Sequence, residues 1–480
     1  MLLLVKARGA YCQEVYCQGT VGSTSFNATG AVTITTATDL NTALVVATDP
    51  SQPTCTSVIT IGAPGTYVLS KSYTIPPIAS LTLQAGPGLG PNDIILMAAT
   101  STRHFAVFPN GVLVATGIQF TGGKVPDDDG GAIYNYGNVK VSDCIFSSNE
   151  ARNGGSLMLF AGGELTASNC TFSSNKADEY GGAVEMLNGA TLVINYCTFR
   201  SNYALSGGAI KCGDYLGDGG YLFATGCTFD SNSASGKRKG IGGGAIMNVK
   251  VNIELVDCTF TNNEETAGDG AAADYGGGAI ATRGYTICTG CTFTNNRARN
   301  NGGAVLNYNP NSLGEKTGLF FTCYGCNFQN NNAGQGGAIW NRFGENTCNA
   351  NDPSNLPCQS NGLTLMYCTW WGNSVTSGSY KTRGSNTFVY ATNGCWCTYL
   401  TGTSDPAGGI NRDDRCQCNP EGAPTASPTP APTGPTPAPT PVSVSGVNQS
   451  NCMGVPPSES SRTIVMLCPL TPMPTWSVSD

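Results

Sequence analysis

The pattern of apolar and polar positions repeats eight times between residues 130 and 373. Each copy opens with two glycines, a small residue and an aliphatic residue, and closes with Cys-x-aromatic-x-x-Asn. Four of the seven periods are 24 to 27 residues and three are 34 to 36, so the longer copies contain insertions. A period in this range indicates a stacked array of similar units. The closing cysteines are Cys144, Cys170, Cys197, Cys227, Cys258, Cys291, Cys326 and Cys368, and the closing asparagines are Asn149, Asn175, Asn202, Asn232, Asn263, Asn296, Asn331 and Asn373.

The positions around each closing Cys predict strands. The residues three and five positions before it are apolar in most copies, as Val141 and Val139 are, and alternate as in a half-buried strand. The Cys and the aromatic residue two positions later form a second alternating pair that is offset by one residue, so a bend must separate two strands. A third strand contains the aliphatic residue after Gly-Gly. Three short strands per coil, with like residues stacked, predict an all-β fold, a right-handed parallel β-helix whose hand follows the preference of parallel crossovers.

The pairing of Gly-Gly-Ala-(Ile/Leu/Val) with Phe-x-x-Asn resembles the repeat of the chlamydial polymorphic membrane proteins. The resemblance covers roughly residues 117–375 and departs from the pattern at Ser156 and Trp370. It implies a right-handed β-helix that is displayed at a cell surface and takes part in adhesion. The resemblance does not extend over residues 442–480, so the family's mode of surface attachment is not carried over.

Composition divides the remaining chain into segments. We expect an N-terminal segment or cap over 1–38, the β-helix over 39–375, a Cys-rich C-terminal cap over 376–420, a disordered Pro/Thr-rich linker over 421–441 and a tail over 442–480. The regular repeats occupy 130–375. Before them, less regular coils are predicted from stretches that alternate between Gly/Pro turns, namely 56–61, 66–69, 80–83, 93–97 and 112–120.

The cysteines fall into two groups. The closing cysteines, with Cys212, Cys288 and Cys323, are predicted to be buried thiols. The Cβ atoms of cysteines stacked in successive coils should be about 4.8 Å apart, which is more than the roughly 3.5 to 4.5 Å between the Cβ atoms of a disulfide. Cys55 is also taken as inward. The others form local groups that predict disulfides and therefore an oxidising compartment. These are Cys12, Cys17, Cys348, Cys358, Cys395, Cys397, Cys416, Cys418, Cys452 and Cys468.

We therefore expect an extracellular or cell-surface protein. The apolar run at residues 1–5 is too short for a secretory signal, which indicates a missing or truncated signal peptide. Asn27, Asn169 and Asn448 begin N-glycosylation sequons. No run of 18 apolar residues predicts a membrane-spanning helix. The net charge of -7 argues against nucleic acid as a partner.

Two insertions provide candidate binding loops. Residues 233–242 contain Lys237, Arg238 and Lys239, and residues 264–276 contain Glu264, Glu265, Asp269 and Asp274. Both follow the closing Asn of successive coils, so we expect them to lie side by side. They either form a lip for a charged ligand or neutralise each other. The partner is unknown, with a surface glycan or a protein of a host or neighbouring cell as candidates, and no cofactor is predicted.

Residues that resemble metal or catalytic sites fit structural roles better. Cys288-x-x-Cys291 and Cys323-x-x-Cys326 each resemble half a zinc site, but their columns place them in the core. Asp127 to Asp129 favour a solvated turn over a Ca²⁺ site. Polysaccharide lyases and hydrolases also use β-helices, yet His104 is the single histidine, and the outward Asp143, Asp230, Asp257 and Arg200 are expected to be scattered, so no catalytic or metal residue is predicted.

A third class rests on an outward Thr column. A regular Thr array could order water as in ice-binding proteins, although Thr is also a good strand former. The column comprises Thr171, Thr198, Thr228, Thr259, Thr292 and Thr369. The sequence therefore predicts a non-enzymatic adhesion or structural module, with a polysaccharide-active enzyme as the alternative and ice binding as the minor alternative.

Overall fold

The computed structural model describes residues 30–343, except 52–54, 215–216, 218, 237–241, 267–275 and 310–320, followed by residues 363–375. It also describes the short strands at 15–16, 20–21, 24–25, 387–391, 398–401 and 411–412. These residues wind into a right-handed parallel β-helix of about nine turns, as the sequence predicts. No helix within this part of the chain has the length and hydropathy to span a membrane.

Four parallel sheets, here called A to D in the order in which one coil crosses them, run along the described chain. Sheet A contains Val15–Tyr16, Cys55–Ile61, Ser80–Ala85, Val112–Thr116, Asn138–Ser142, Glu164–Ser168, Thr191–Asn195, Tyr221–Thr225, Asn252–Val256, Thr286–Thr289, Phe321–Tyr324, Leu363–Met366 and Thr398–Thr401, with Ala31–Ile34 beside the second of these. Sheet B contains Gly65–Val68, Ile94–Met97, Gln119–Thr121, Ile145–Ser147, Thr171–Ser173, Thr198–Arg200, Thr228–Asp230, Thr259–Thr261, Thr292–Thr294, Asn327–Gln329 and Thr369–Trp371.

Sheets C and D complete each coil. Sheet C contains Lys124–Asp129, Glu150–Asn153, Lys176–Tyr180, Tyr203–Ala204, Ser233–Ala234, Glu264–Glu265, Arg297–Ala298, Asn332–Ala333 and Ser374–Val375. Sheet D contains Tyr73–Ile75, Phe105–Val107, Ile133–Asn135, Leu157–Leu159, Val184–Met186, Ile210–Cys212, Ile246–Val249, Ile280–Arg283, Val305–Asn309, Ile339–Phe343, Thr387–Ala391 and Asn411–Arg412. Thr20–Val21 and Thr24–Ser25 form a separate antiparallel pair.

Sheet C corrects the expectation of three strands per coil. Its strands lie between the closing Asn and the Gly-Gly of the next copy, where the sequence predicted only a turn. Most of them point a single small side chain inward, such as Ala151, Ala177 or Ala204, which is buried. One inward alanine in a segment of two to five residues gives no alternating apolar signal, so the pattern does not reveal the strand.

Left-handed backbone forms the corners between sheets. The residue before each closing Cys has positive φ, from 51° at Asp257 to 64° at Gly290, which supplies the predicted bend between sheets A and B. The residue before each closing Asn also has positive φ, so this residue and not the Asn itself turns the chain. A bend of the same kind at Gly117, with φ of 69°, divides the stretch 112–120 into two strands where one was predicted.

The two glycines of each copy have different roles. The first has positive φ, as at Gly181 with 61°, a region that glycine enters at no steric cost. At the second, a Cβ atom would meet the backbone of the next coil: at Gly182 it would lie 2.1 Å from the carbonyl oxygen of Gly208. The Gly-Gly unit therefore permits both the turn into sheet D and the close approach of successive coils.

The interior consists of files of identical side chains, as predicted. Ring centroids of successive aromatic residues from Phe120 to Trp370 are 4.4 to 5.0 Å apart, with planes within 3° to 9° of parallel. The closing cysteines are buried free thiols, as are Cys212, Cys288 and Cys323. In the Asn file, the amide nitrogen of Asn202 donates to Phe172 O and to Asn232 Oδ1, both at 2.9 Å. These bonds satisfy backbone groups at the corner that no neighbouring strand reaches.

Two findings at the N-terminal end differ from expectation. Cys55 is buried, as expected, but it is disulfide-bonded. The other described cysteines are free thiols, so the partner of Cys55 is one of the ten cysteines that were expected to pair only among themselves. That expected grouping is therefore wrong. All ten lie outside the described residues. Ala37–Ala47 is an α-helix within the region expected to be β-helical; Thr36 caps it by accepting from Asp39 N at 3.2 Å. Leu40 and Leu44 are fully buried, so the helix covers the first coil.

Candidate functional site

The long insertions border one sheet. Residues 237–241 and 267–275 separate a sheet C strand from the next sheet D strand along the chain, whereas 215–218, 310–320 and 344–362 separate a sheet D strand from the next sheet A strand. Apart from Gly217, these residues lie outside the described part of the chain. The corners between sheets A and B and between B and C carry no insertion of this length in the repeat region. Segments that vary in length on a rigid scaffold are frequent sites of recognition. Sheet D is therefore the sheet whose strands directly precede or follow all of these long insertions in the chain.

The two predicted binding loops begin side by side, because Ser233 and Glu264 are register partners in sheet C. Glu264 pairs with Arg297 of the following coil at 3.4 Å. Glu265 is buried and occupies the inward position that Ala234 and Ala298 hold in the neighbouring coils. The other predicted binding residues, Lys237, Arg238, Lys239, Asp269 and Asp274, lie outside the described residues.

The outer face of sheet D is buried over much of its length. We call it the D face, and it comprises Tyr134, Tyr136, Met158, Phe160, Glu185, Lys211, Met247, Val249, Ala281, Arg283, Leu306, Tyr308 and Trp340. Met158, Ala281, Leu306 and Trp340 are at most 3% exposed, although their side chains point away from the interior. By contrast, Tyr221 on the outer face of sheet A is 49% exposed. The sequence pattern distinguishes inward from outward positions but does not reveal that these outward side chains are buried.

A buried ion pair lies at the centre of the D face. Glu185 and Lys211 are register partners, and Lys211 Nζ lies 2.8 Å from Glu185 Oε1. The side chain of Lys211 is 8% exposed and that of Glu185 is 3% exposed. Glu185 Oε2 is buried and has no hydrogen-bond partner. Burial raises the pKa of Glu185 above its ordinary value. Burial acts to lower the pKa of Lys211, but the adjacent Glu185 carboxylate raises it overall, and the ammonium also lies 4.8 Å from the ring centroid of Tyr180.

An aromatic cluster marks the N-terminal end of the D face. Tyr136 stacks on Phe160 with centroids 4.1 Å apart, and Tyr134 packs at an angle on both. Burial and the Tyr136 hydroxyl raise the pKa of Tyr134. Arg103 lies 4.6 Å from the centre of the Tyr134 ring and forms an ion pair with Asp128. The rings of this cluster therefore contact one another and Arg103, whose charge is paired with Asp128.

The acidic run 127–129 belongs to this ion-pair network. It lies in a sheet C strand and not in the predicted solvated turn. Partial burial acts to raise the pKa of Asp128, but the hydrogen bond from Arg103 lowers it overall. Asp129 Oδ1 accepts from Asn153 at 2.9 Å and lies 3.4 Å from Arg152. Two carboxylates of the run are therefore occupied by arginines.

The single histidine is a core residue. His104 is fully buried, its Nε2 lies 3.0 Å from Leu96 O, and its ring packs edge-on against Phe120. Burial lowers its pKa from 6.5 to about 4. His104 is therefore neutral at physiological pH and lies away from solvent, where it cannot act on a substrate.

The remaining candidates take ordinary places in the stack. Cys288 and Cys323 are register partners within the core. Among the described residues, no group of three or more His, Cys, Asp or Glu side chains could hold a metal ion. Arg200 and Asp230, expected to be scattered, are register partners in successive coils. Asp143 and Asp257 occupy the same corner four coils apart, or about 19 Å, which exceeds the separation of glycosidase carboxylates.

The Thr column is in register over part of its length, and the first residue of one sequon is exposed. Thr171, Thr198, Thr228, Thr259 and Thr292 are in register across five coils, after which Asn327 interrupts the column before Thr369. Asn169 is exposed at the corner between sheets A and B, with its Nδ2 3.4 Å from Asp143 Oδ1. Asn27 and Asn448 lie outside the described residues.

Family comparisons agree with this architecture. The family described as "Right handed beta helix region" matches residues 103–234, and the "Chlamydia polymorphic membrane protein (Chlamydia_PMP) repeat" matches residues 290–308. Over residues 290–308 the chain is therefore similar to the polymorphic membrane protein repeat, and its described residues form a right-handed β-helix. No curated protein sequence matches it.

Solved structures resemble the chain in fold alone. A mannuronic acid specific polysaccharide family 6 lyase from human gut microbiota has 9% identity and a TM-score of 0.40, covering 75% of this chain and 91% of that one. The catalytic unit of a GH87 alpha-1,3-glucanase from Streptomyces thermodiastaticus has 13% identity and a TM-score of 0.36, covering 86% and 70%. A second GH87 alpha-1,3-glucanase catalytic domain has 11% identity and a TM-score of 0.35, covering 76% and 68%.

Proposed function

We propose that the chain is a non-enzymatic adhesion or structural module that acts outside the cell or at its surface. The observation that carries the proposal is the position of the long insertions along the chain, where each directly precedes or follows a strand of sheet D in an otherwise regular stack. A solenoid with variable segments along one face presents an extended surface to a large partner. We propose a surface glycan or a protein of a neighbouring cell as that partner.

Three features support an extracellular location. The repeats are similar to those of chlamydial polymorphic membrane proteins. Cys55 is disulfide-bonded, and disulfides persist in oxidising compartments. Asn169, which begins a sequon, is exposed.

The test measures binding and turnover together. The immobilised full chain is screened on a glycan array and on intact cells, while lyase and hydrolase activity is assayed on a panel of acidic polysaccharides. Retained binding without turnover is the expected result. Shortening the segment 310–320 to the length found in the 24 to 27 residue copies should lower cell binding without changing the circular dichroism spectrum. Turnover of a polysaccharide, or cell binding unaffected by this change, would contradict the proposal.

The second candidate is a polysaccharide-active enzyme, which turnover in the lyase and hydrolase panel would favour. The in-register Thr column supports the minor candidate, ice binding, which measurable thermal hysteresis of the solution would favour.

A further inference from the structure

A row of exposed aromatic side chains crosses the outer face of sheet A, away from the D face. Tyr221 and Phe223 project from one strand and are 49% and 38% exposed. Their rings are within 10° of parallel, with centroids 5.9 Å apart. At the end of the same strand lies Gly226, and the ring of Tyr196 from the preceding coil lies over its backbone. We call Tyr196, Tyr221 and Phe223 the aromatic row.

Tyr196 has an unusual backbone conformation. Its φ is 54°, in the left-handed region that a bulky side chain rarely adopts. The equivalent corners of neighbouring coils hold Asn169, Gly226 and Asp257, residue types that accept this conformation readily. A Cβ atom at Gly226 would lie 2.7 Å from two ring atoms of Tyr196, so this glycine leaves the space in which the ring lies. Tyr196 is nevertheless 67% exposed, and thus contributes little to the core.

The surroundings of the row are mostly polar and include one carboxylate. Glu254, the register partner of Phe223 on the following strand, points outward, as Val193 does on the preceding strand. The negative charge of Glu254 disfavours an anionic sugar. Thr191 and Asn195 point outward on the preceding strand, and Thr225 and Asn252 do so on the same and the following strands. Each of these side chains is half-exposed or exposed. Aromatic surface bordered by hydroxyl and amide groups fits a pyranose ring, whose C–H faces pack on aromatic rings while its hydroxyls form hydrogen bonds.

We propose that the aromatic row binds a neutral, linear, β-1,4-linked glycan that lies along the strand Tyr221–Thr225. Successive pyranose units of such a chain are about 5 Å apart, close to the ring spacing, and the six residues from Tyr221 to Gly226 span about 16 Å at the rise of a β-strand. The row therefore accommodates about three sugar units. This inference deepens the proposed adhesion function by naming a glycan class and a site for it.

The experiment titrates the full chain with cello- and chito-oligosaccharides of two to six units by isothermal calorimetry. Affinity should rise up to three or four units and then level off. Phe223→Ala should weaken binding at least tenfold and Tyr196→Asn at least fivefold, because aromatic contacts dominate such interfaces. Tyr196→Asn places at this corner the residue that Asn169 provides one coil earlier, so it should not lower the melting temperature. Tyr203→Ala, an aromatic 37% exposed on sheet C, is the matched control and should leave affinity unchanged.

The outcomes separate this inference from the adhesion function. Binding of cello- or chito-oligosaccharides that the row variants leave unchanged would overturn the row as the site, while the adhesion proposal would stand. Preference for tetramannuronate over the neutral oligosaccharides, or no oligosaccharide binding at all, would overturn the proposed ligand class.

Discussion

Truncation of one asparagine in the middle of the Asn file should destabilise the fold far more than truncation of an exposed one. Asn232 Nδ2 donates to Phe199 O at 2.9 Å and to Asn263 Oδ1 at 3.0 Å. Its Oδ1 accepts from the backbone nitrogen of Asn202 at 3.1 Å and from Asn202 Nδ2 at 2.9 Å. Asn232→Ala thus removes four hydrogen bonds within the buried interior.

The magnitude follows from which groups lose a partner. The backbone N–H of Asn202 becomes buried without an acceptor, at a cost of about 1 to 3 kcal/mol, and the lost bond to the Phe199 carbonyl adds about 0.5 to 1.5 kcal/mol. Asn263 Oδ1 keeps the donor from the backbone of residue 232. We therefore expect Asn232→Ala to lower the free energy of unfolding by about 2 to 4 kcal/mol.

The assay is urea unfolding of the full chain, followed by circular dichroism, together with hydrogen exchange of the Asn202 amide. Asn252→Ala is the matched control, because Asn252 is an exposed strand residue, and it should change stability by less than about 0.5 kcal/mol. The Asn202 amide should exchange faster in Asn232→Ala alone. Equal midpoints for the two variants, or undiminished protection of that amide, would refute the reasoning.

Three further outcomes follow from buried groups. Because the pKa of His104 is lowered from 6.5 to about 4, the unfolded chain takes up a proton before the folded one does. The free energy of unfolding should therefore fall by about 3 kcal/mol more in the wild type than in His104→Gln between pH 6.5 and pH 4; parallel pH profiles would contradict this. Lys211→Met should lower the free energy of unfolding by about 3 to 5 kcal/mol, because it leaves the Glu185 carboxylate buried and unpaired. Adding Glu185→Met to the same chain should restore most of that stability. A double variant no more stable than Lys211→Met alone would contradict this prediction. Cys227 should resist alkylation in the native chain and react after unfolding, as peptide mass mapping can measure, since it is a buried free thiol; rapid native labelling would exclude its place in the core.

Repetition made the β-helix predictable. Each inward position is sampled eight times, so a column such as Phe146 to Phe328 identifies itself even where one copy varies. The strands of sheet C were not predicted, because in most copies their one inward residue is an alanine. The helix at Ala37–Ala47 was not predicted although Thr36 and Asp39 form a capping signal, because the sequence around it is weakly patterned and fits a cap and irregular coils equally well.

The candidate sites were less predictable because they depend on relations between coils. Glu185 and Lys211 resemble solvated charges in the sequence, yet they are register partners in sheet D and are buried. The aromatic row combines Tyr196 with Tyr221 and Phe223, which belong to different copies. Only the register of sheet A and the absent side chain of Gly226 bring Tyr196 onto that row.

The central claim is that equivalent residues of successive coils lie directly above one another, and sulfur atoms test it most directly. A crystal of the full chain measured at long wavelength should give an anomalous map in which the sulfur atoms of the eight closing cysteines, from Cys144 to Cys368, form one straight file with peaks about 4.8 Å apart. Peaks dispersed through the molecule, or joined in pairs at the 2.0 Å of a disulfide, would contradict the stacked architecture on which both proposed surfaces depend.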